Sequence, residues 1–222
     1  MQLPCCFFGI IFAKKKTASP GLQRSLLTYI IFSRCRVMIK NILWKGLTME
    51  SLEYCSVYFK DALSVRSAIV GRYEQLPFKV DYEIEMDRNW NTRSVEIRSS
   101  LCNMDQRIAL QHDGLGHWYS EDREWKQLEG CTDIDISVSP FTNSLPINRL
   151  NMAAGATLEI TVVYIDIPHF RIAQEHQRYS RLDTHTYRFT NSTGDFSADI
   201  LVDELGLVKH YPTLFDRILI QD

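Results

Sequence analysis

The 222-residue sequence predicts a mainly β protein in which one large, curled antiparallel sheet wraps round a single α-helix, round a cavity, or round both. Three observations carry that prediction. From Tyr54 onward, apolar and polar residues alternate with a period of two over most of the chain, the pattern of half-buried strands. Only one segment, opening at Ser139-Pro140, joins a helix start to helical spacing. About ten one-sided strands need a shared apolar filling, and a sheet of that size curls or closes rather than staying flat.

The clearest strand is Phe78-Lys79-Val80-Asp81-Tyr82-Glu83-Ile84-Glu85-Met86, whose apolar and charged members point to opposite faces. Val95, Ile97 and Leu101 oppose Glu96 and Arg98 in the next. Residues 107–112 follow, then a glycine turn at Gly114-Leu115-Gly116. Trp118 and Trp125 flank a hairpin tip at Glu121-Asp122-Arg123-Glu124. Thr132, Ile134, Ile136 and Val138 alternate with Asp133, Asp135 and Ser137, and this strand runs straight into Ser139. Ser139 suits a helix cap and Pro140 the first helical position. Phe141, Leu145, Asn148 and Met152 recur at helical spacing, so a helix is expected over residues 140–154, kinked or restarted at Pro146 and ended by Gly155. Residues 157–167 are β-branched and nearly continuous, as in a central strand buried on both faces. Strands over residues 170–182, 185–190, 196–202 and 207–211 complete the series. The interior of such a sheet is either filled by Phe, Tyr and Trp or leaves apolar room for a lipid-like ligand.

Charge is unevenly spread. Residues 1–37 hold six of the 25 basic residues and no acid, so residues 38–222 carry 19 basic against 27 acidic residues, a net charge of −8. An acidic body argues against nucleic acid as a partner, because phosphate binding needs a basic stripe. Residues 1–37 read as a foreign or disordered extension, with translation expected to start at Met38. The apolar run at residues 5–13 precedes its lysines instead of following them, unlike a signal peptide, and is too short to span a bilayer. Residues 38–222 are expected to form a single domain.

The six cysteines (Cys5, Cys6, Cys35, Cys55, Cys102 and Cys131) show no C-x-x-C spacing, and the three in the body are an odd number. They read as small buried or half-buried residues of a cytoplasmic protein rather than a zinc site or disulfide framework. The six histidines are scattered and no H-E-x-x-H occurs, so neither metal nor cofactor is expected. No nucleophile elbow, phosphate loop or dinucleotide fingerprint is present. Asp133 and Asp135 point the same way from one strand and could form a carboxylate pair of the kind glycosidases use. The alternative is a strand face meeting arginines, with Arg93, Arg149 or Arg178 as partners. Asn143, flanked by Thr142 and Ser144, is either an anchor for the helix or a hydrogen-bonding floor for a sugar. Gln177, Arg178 and Tyr179 form a polar-aromatic cluster, and Trp90, Trp118 and Tyr211 are either core rings or stacking platforms.

The segment from Gly130-Cys131 through Asp133 and Asp135 to Ser139-Pro140-Phe141-Thr142-Asn143-Ser144-Leu145-Pro146-Ile147 and Arg149-Leu150 resembles the signature of a bacterial family named "putative glycolipid-binding proteins". Trp90 with Thr92-Arg93, Gly116 with Trp118, Tyr164 with Pro168, Gln177-Arg178-Tyr179 and Gly206-Leu207-Val208 support the likeness, which begins just after Met38. Ser139 and Asn148 stand where Thr and Arg are more usual. The resemblance implies a spiral β-roll, a many-stranded sheet wound round one helix and often a homodimer. It also implies a non-enzymatic protein that binds a glycolipid or other amphiphile. On that reading Asn143, Arg149, Arg178, Tyr179, Trp90 and Trp118 are the candidate ligand-binding residues. The rival readings are a packed structural or dimerisation module without a small ligand, and a carbohydrate-active enzyme using Asp133 and Asp135.

Overall fold

The structure, a computed structural model, describes residues 37–121 and 123–221, so the expected extension at residues 1–37 lies, Val37 apart, outside the described residues. The described residues form fifteen strands in one sheet and one short α-helix, the mainly β fold that the alternation predicts. β1 (Met38–Gly46), β2 (Ser51–Phe59), β3 (Leu63–Tyr73), β4 (Leu76–Met86), β5 (Thr92–Leu101), β6 (Met104–His112), β7 (Trp118–Ser120) and β8 (Arg123–Glu124) step outward as antiparallel neighbours. The chain then crosses to β9 (Asp133–Ile136) at the opposite edge of the sheet. A 3-10 turn (Phe141–Asn143) and α1 (Ser144–Leu150) lead to β10 (Thr157–Asp166). β11 (Arg171–Arg181), β12 (Thr186–Asn191), β13 (Ser197–Val202), β14 (Val208–Tyr211) and β15 (Phe215–Gln221) step back, and β15 closes against β1 in the middle.

The sheet is open, with β8 and β9 as its edges. It is mixed rather than wholly antiparallel, because β9 and β10 pair in parallel. The cause is the helical crossover between them, which returns the chain in its original direction as no tight hairpin can. β10 is also not a central strand. It lies second from the edge, and Thr157, Leu158 and Glu159 are exposed. Its β-branched run is buried on both faces only at Val162 and Val163. Elsewhere the alternation holds: in β4, Phe78, Val80, Tyr82, Ile84 and Met86 are all buried.

The helix is shorter than its periodicity suggests. Ser139 Oγ accepts the Phe141 N–H (3.2 Å), but the cap position falls on Pro140, not on the serine, and the first turn is 3-10. Pro146 sits in the first turn of α1, where its missing N–H has no intrahelical acceptor to lose. Asn151 ends the helix by adopting a left-handed conformation (φ 40°), well before Gly155.

This segment is the plug of the roll. Phe141 and Leu145 belong to one apolar core, with residues from β1–β6, β9 and β10. Ile147 and Met152 belong to a second, with Tyr179, Phe189, Val208, Tyr211 and Phe215 from the returning arm. The loop before β9 folds back onto the first arm: Gly130 N–H donates to Gly116 O (2.9 Å) and Trp118 Nε1 donates to Cys131 O (2.9 Å). Gly116 adopts a positive φ (101°) here that disfavours a side chain, and a Cβ on it would touch Gly130 at 3.4 Å.

Candidate functional site

A cleft of about 390 Å³ opens beside the start of α1. One wall is polar: Asp135 from β9, Ser139 and Asn143 from the turn, and Glu175 and Gln177 from β11. The lining also carries aromatic rings, Phe189 from β12, Phe196, Tyr211 from β14 and Phe215 from β15, with Asn191, Ser192 and Thr193 between the first two. These rings pack on one another at tilted and edge-on angles, with centroids 6.1 to 6.3 Å apart.

Behind the polar wall runs a continuous chain of hydrogen bonds. Asn143 Nδ2 donates to Tyr179 Oη (3.0 Å), Tyr179 Oη to Gln177 Oε1 (3.5 Å), and Gln177 Nε2 to Asp135 Oδ2 (2.6 Å). Thr142 Oγ1 lies 3.2 Å from Asp135 Oδ1. Burial holds the Asp135 carboxyl above the usual carboxylate range despite these donors. Burial, then the Asp135 charge, pushes the Tyr164 phenol up to about 12 and raises Tyr179 and Tyr211 as well.

On its other side the same turn meets a second polar cluster. Ser139 Oγ donates to Glu53 Oε1 (2.9 Å), which also receives Tyr82 Oη (2.6 Å) and Ser67 Oγ (2.8 Å). Glu53 Oε2 has no partner, and burial raises this carboxyl to about 7.

Of the residues singled out from the sequence, Asn143 lines the cleft and Tyr179 stands directly behind it, joined by their hydrogen bond. Of the three arginines expected as partners, Arg149 is the one that meets Asp133. Its guanidinium grips both carboxylate oxygens (Nε 3.0 and 3.1 Å, Nη2 2.6 Å), and Asp133 is fully buried away from the cleft lining. Arg178 projects from the outer face of β11 and pairs with Glu159 (2.8 Å). Period two separates it from its inward neighbours Gln177 and Tyr179. Trp90 occupies the β4–β5 turn with a left-handed backbone (φ 65°), its ring edge-on to Phe59 at 6.2 Å. Asp87 organises that turn, accepting from Asn89, Asn91 and Arg93. Trp118 is buried where the β9 loop meets the first arm, stacked on His112 with centroids 4.6 Å apart. Arg178, Trp90 and Trp118 therefore do not line this cleft.

Glu53, Glu175, Phe189 and Phe196 were not singled out from the sequence. The one signal for Glu53 was an acid in phase with Cys55 and Val57 in β2. Among the cysteines, Cys55 and Cys131 are buried and unpaired. Cys102 is exposed, contrary to expectation, because it and Asn103 form the two-residue β5–β6 turn, both with positive φ. No group of His, Cys, Asp and Glu among the described residues could hold a metal ion, and no described helix is long and apolar enough to cross a membrane.

Residues 41–217 match the family described as "Putative glycolipid-binding". The chain belongs to that family. It is also similar to the crystal structure of a DUF1089 family protein from Pseudomonas aeruginosa. The two share 36% sequence identity and a TM-score of 0.70, over 75% of this chain and 92% of the other. Comparison with curated proteins finds no match.

Proposed function

We propose that this chain is a non-enzymatic binding protein for a glycolipid or a related amphiphile, with the polar head seated in the cleft beside α1. The observation that carries this reading is the mixed polar and aromatic lining. Carboxylate and amide groups on one wall suit hydroxyls, and the rings of Phe189, Phe196, Tyr211 and Phe215 suit a sugar face or the first carbons of a tail. A volume of about 390 Å³ falls within the range of small-molecule sites. The family description supports the same ligand class. Hydrolysis by Asp133 and Asp135 has less support, since Asp133 is held in a buried guanidinium grip. The unpaired Cys55, Cys102 and Cys131 suit a reducing compartment, and we place the protein in the cytoplasm.

Native mass spectrometry of protein purified without detergent, followed by organic extraction, tests the reading. A discrete adduct released as a glycolipid or fatty amphiphile is expected. A clean apo mass, together with no uptake of added amphiphile, would overturn it.

A dimerisation role has its own support. On the outer face of the sheet Leu52 and Val70 are cross-strand partners, and Leu43 pairs with both Tyr54 and Leu219. Leu52, Tyr54, Val70 and Leu219 are all exposed. Light scattering on the full chain, with and without Tyr54→Asp, tests pairing of two copies through this face.

A further inference from the structure

Resting on that reading, the chemistry of the cleft points to its head group: we infer that it selects an amphiphile bearing a protonated amine among its hydroxyls and discriminates against anionic heads. Two carboxylates, Asp135 and Glu175, line the cleft, and among the described residues no lysine or arginine does; the one histidine of the lining, His176, shares the outward parity of Arg178 on β11. Both carboxylates are bonded by neutral donors: Thr142 and Gln177 to Asp135, and Ser192 to Glu175. Neither has an ion-pair partner among the described residues. β9 itself supplies the contrast. Asp133, two positions earlier, receives a bidentate guanidinium, so the fold neutralises one carboxylate of this strand and leaves the next uncompensated.

A second, independent observation concerns Tyr211. This residue lines the cleft and is only 4% exposed, yet its hydroxyl makes no hydrogen bond among the described residues. It is also absent from the fully enclosed unpartnered groups among the described residues, which are Glu53 Oε2, Thr92 Oγ1, Trp125 Nε1 and Ser144 Oγ. The Tyr211 hydroxyl is therefore reachable from the cleft. Asn143, 6% exposed, uses its amide donor on Tyr179 while its carbonyl oxygen accepts no bond among the described residues. The Gln177 amide likewise donates inward to Asp135.

The cleft thus offers acceptor oxygens on Asp135, Glu175 and Asn143, with the Tyr211 hydroxyl able to donate or accept. An ammonium brings three donors and a positive charge, and neighbouring hydroxyls supply further donors. An anionic head would face two carboxylates in a partly desolvated site and would lose affinity. An amino sugar and an aminoalcohol share the ammonium chemistry, and the probes below separate them.

The test is calorimetric titration of the full chain near neutral pH with four octyl amphiphiles below their micelle concentrations. They are octyl glucoside, its 2-amino-2-deoxy analogue, octyl glucuronide, and 2-(octyloxy)ethylamine. The amino sugar should bind about fivefold to tenfold more tightly than the glucoside, and the glucuronide more weakly by a similar factor. In Asp135→Asn the ratio of amino sugar to glucoside affinity should move toward one. Glu175→Gln, on the half-buried rim of β11, gives the same readout if the first variant does not fold. Equal binding of the amine and the glucuronide, or a preference for the glucuronide, overturns the inference and leaves amphiphile binding standing. Failure of all four to bind overturns the amphiphile reading and the inference with it. Binding of the ethylamine as tightly as the amino sugar supports the ammonium site and assigns it to an aminoalcohol head.

Discussion

Replacing Glu53 by glutamine should remove a pH dependence of stability that this one side chain creates. Glu53 faces inward from β2 and is 2% exposed. Three hydroxyls converge on its Oε1, while Oε2 has no partner. No cation pairs with it among the described residues. Burial is the leading cause of its raised proton affinity, and the three hydroxyls oppose burial without cancelling it. In the unfolded chain the proton leaves near 4.5, and in the folded protein near 7. Between those values the native state holds a proton that the unfolded state has lost, so stability falls as pH rises. Each pH unit between the two values is worth about 1.4 kcal/mol. Roughly 3 kcal/mol is therefore fully present below the unfolded value and is lost as pH rises through the folded one.

Glutamine keeps an oxygen for the three hydroxyls and has no proton to lose in this range. The assay is urea unfolding of wild type and Glu53→Gln, followed by tryptophan fluorescence from about pH 4.5 to 8.5. All other ionisable groups are common to both proteins, so the difference curve isolates Glu53. The two should be similar at the acid end, where the glutamic acid O–H and the glutamine N–H both occupy the partnerless position. Near pH 8 the variant should be more stable by about 3 kcal/mol. Parallel curves would refute the reasoning, because they would mean that Glu53 is ionised in the native state throughout and stabilised by its hydroxyls alone.

Three further outcomes follow from other parts of the fold. Arg149→Leu strands the fully buried Asp133 carboxylate and should cost about 3–5 kcal/mol in denaturant unfolding, with partial recovery when Asp133→Asn is added. Gly206→Ala should lower stability by about 1–2 kcal/mol. Its φ of 69° disfavours a side chain, and the added Cβ would run into the Asn148 amide on α1. In native-state alkylation mapped by mass spectrometry, Cys102 should react fast, while Cys55 and Cys131 should stay protected, since burial both shields them and raises their thiols.

What the sequence discloses depends on where each decision is made. In β4 the strand's own residues decide, since five apolar side chains in phase can bury only one way. β2 inverts that logic. Leu52 and Tyr54 are exposed, while Ser51 and Glu53 turn inward with Cys55 and Val57. The partners that make an inward glutamate tolerable are Tyr82 and Ser139, 29 and 86 positions away, so local pattern carries no trace of them. The same holds at the cleft. Asn143 was legible because a polar residue at a helix start inside an apolar roll must find a partner, and its partner proved to be Tyr179. Trp90 and Trp118 were equally conspicuous, but a turn built on Asp87 and the junction of β7 with the β9 loop claimed them. Arg178 was excluded from the cleft by strand parity, which the inward burial of Gln177 and Tyr179 settles.

The turn at residues 139–143 carries polar groups into the middle of two apolar cores, and each side of it needs an answer. On the β2 side the answer is internal: Ser139 meets Glu53 and Tyr82, and none of the three is more than 2% exposed. On the β11 side it is open, because the chain from Asn143 through Tyr179 and Gln177 to Asp135 ends at a cleft. Two tyrosines separate anchoring from binding. Tyr179→Phe cuts the chain by removing the acceptor for the buried Asn143 amide, and should cost about 1–2 kcal/mol of stability. Tyr211→Phe removes a hydroxyl with no protein partner and should leave stability within about 0.5 kcal/mol. If Tyr211→Phe instead destabilises the fold as much as Tyr179→Phe, its hydroxyl serves the protein and is not available to a ligand. If it leaves stability intact and weakens amphiphile binding, the open end of the polar chain is where a head group sits.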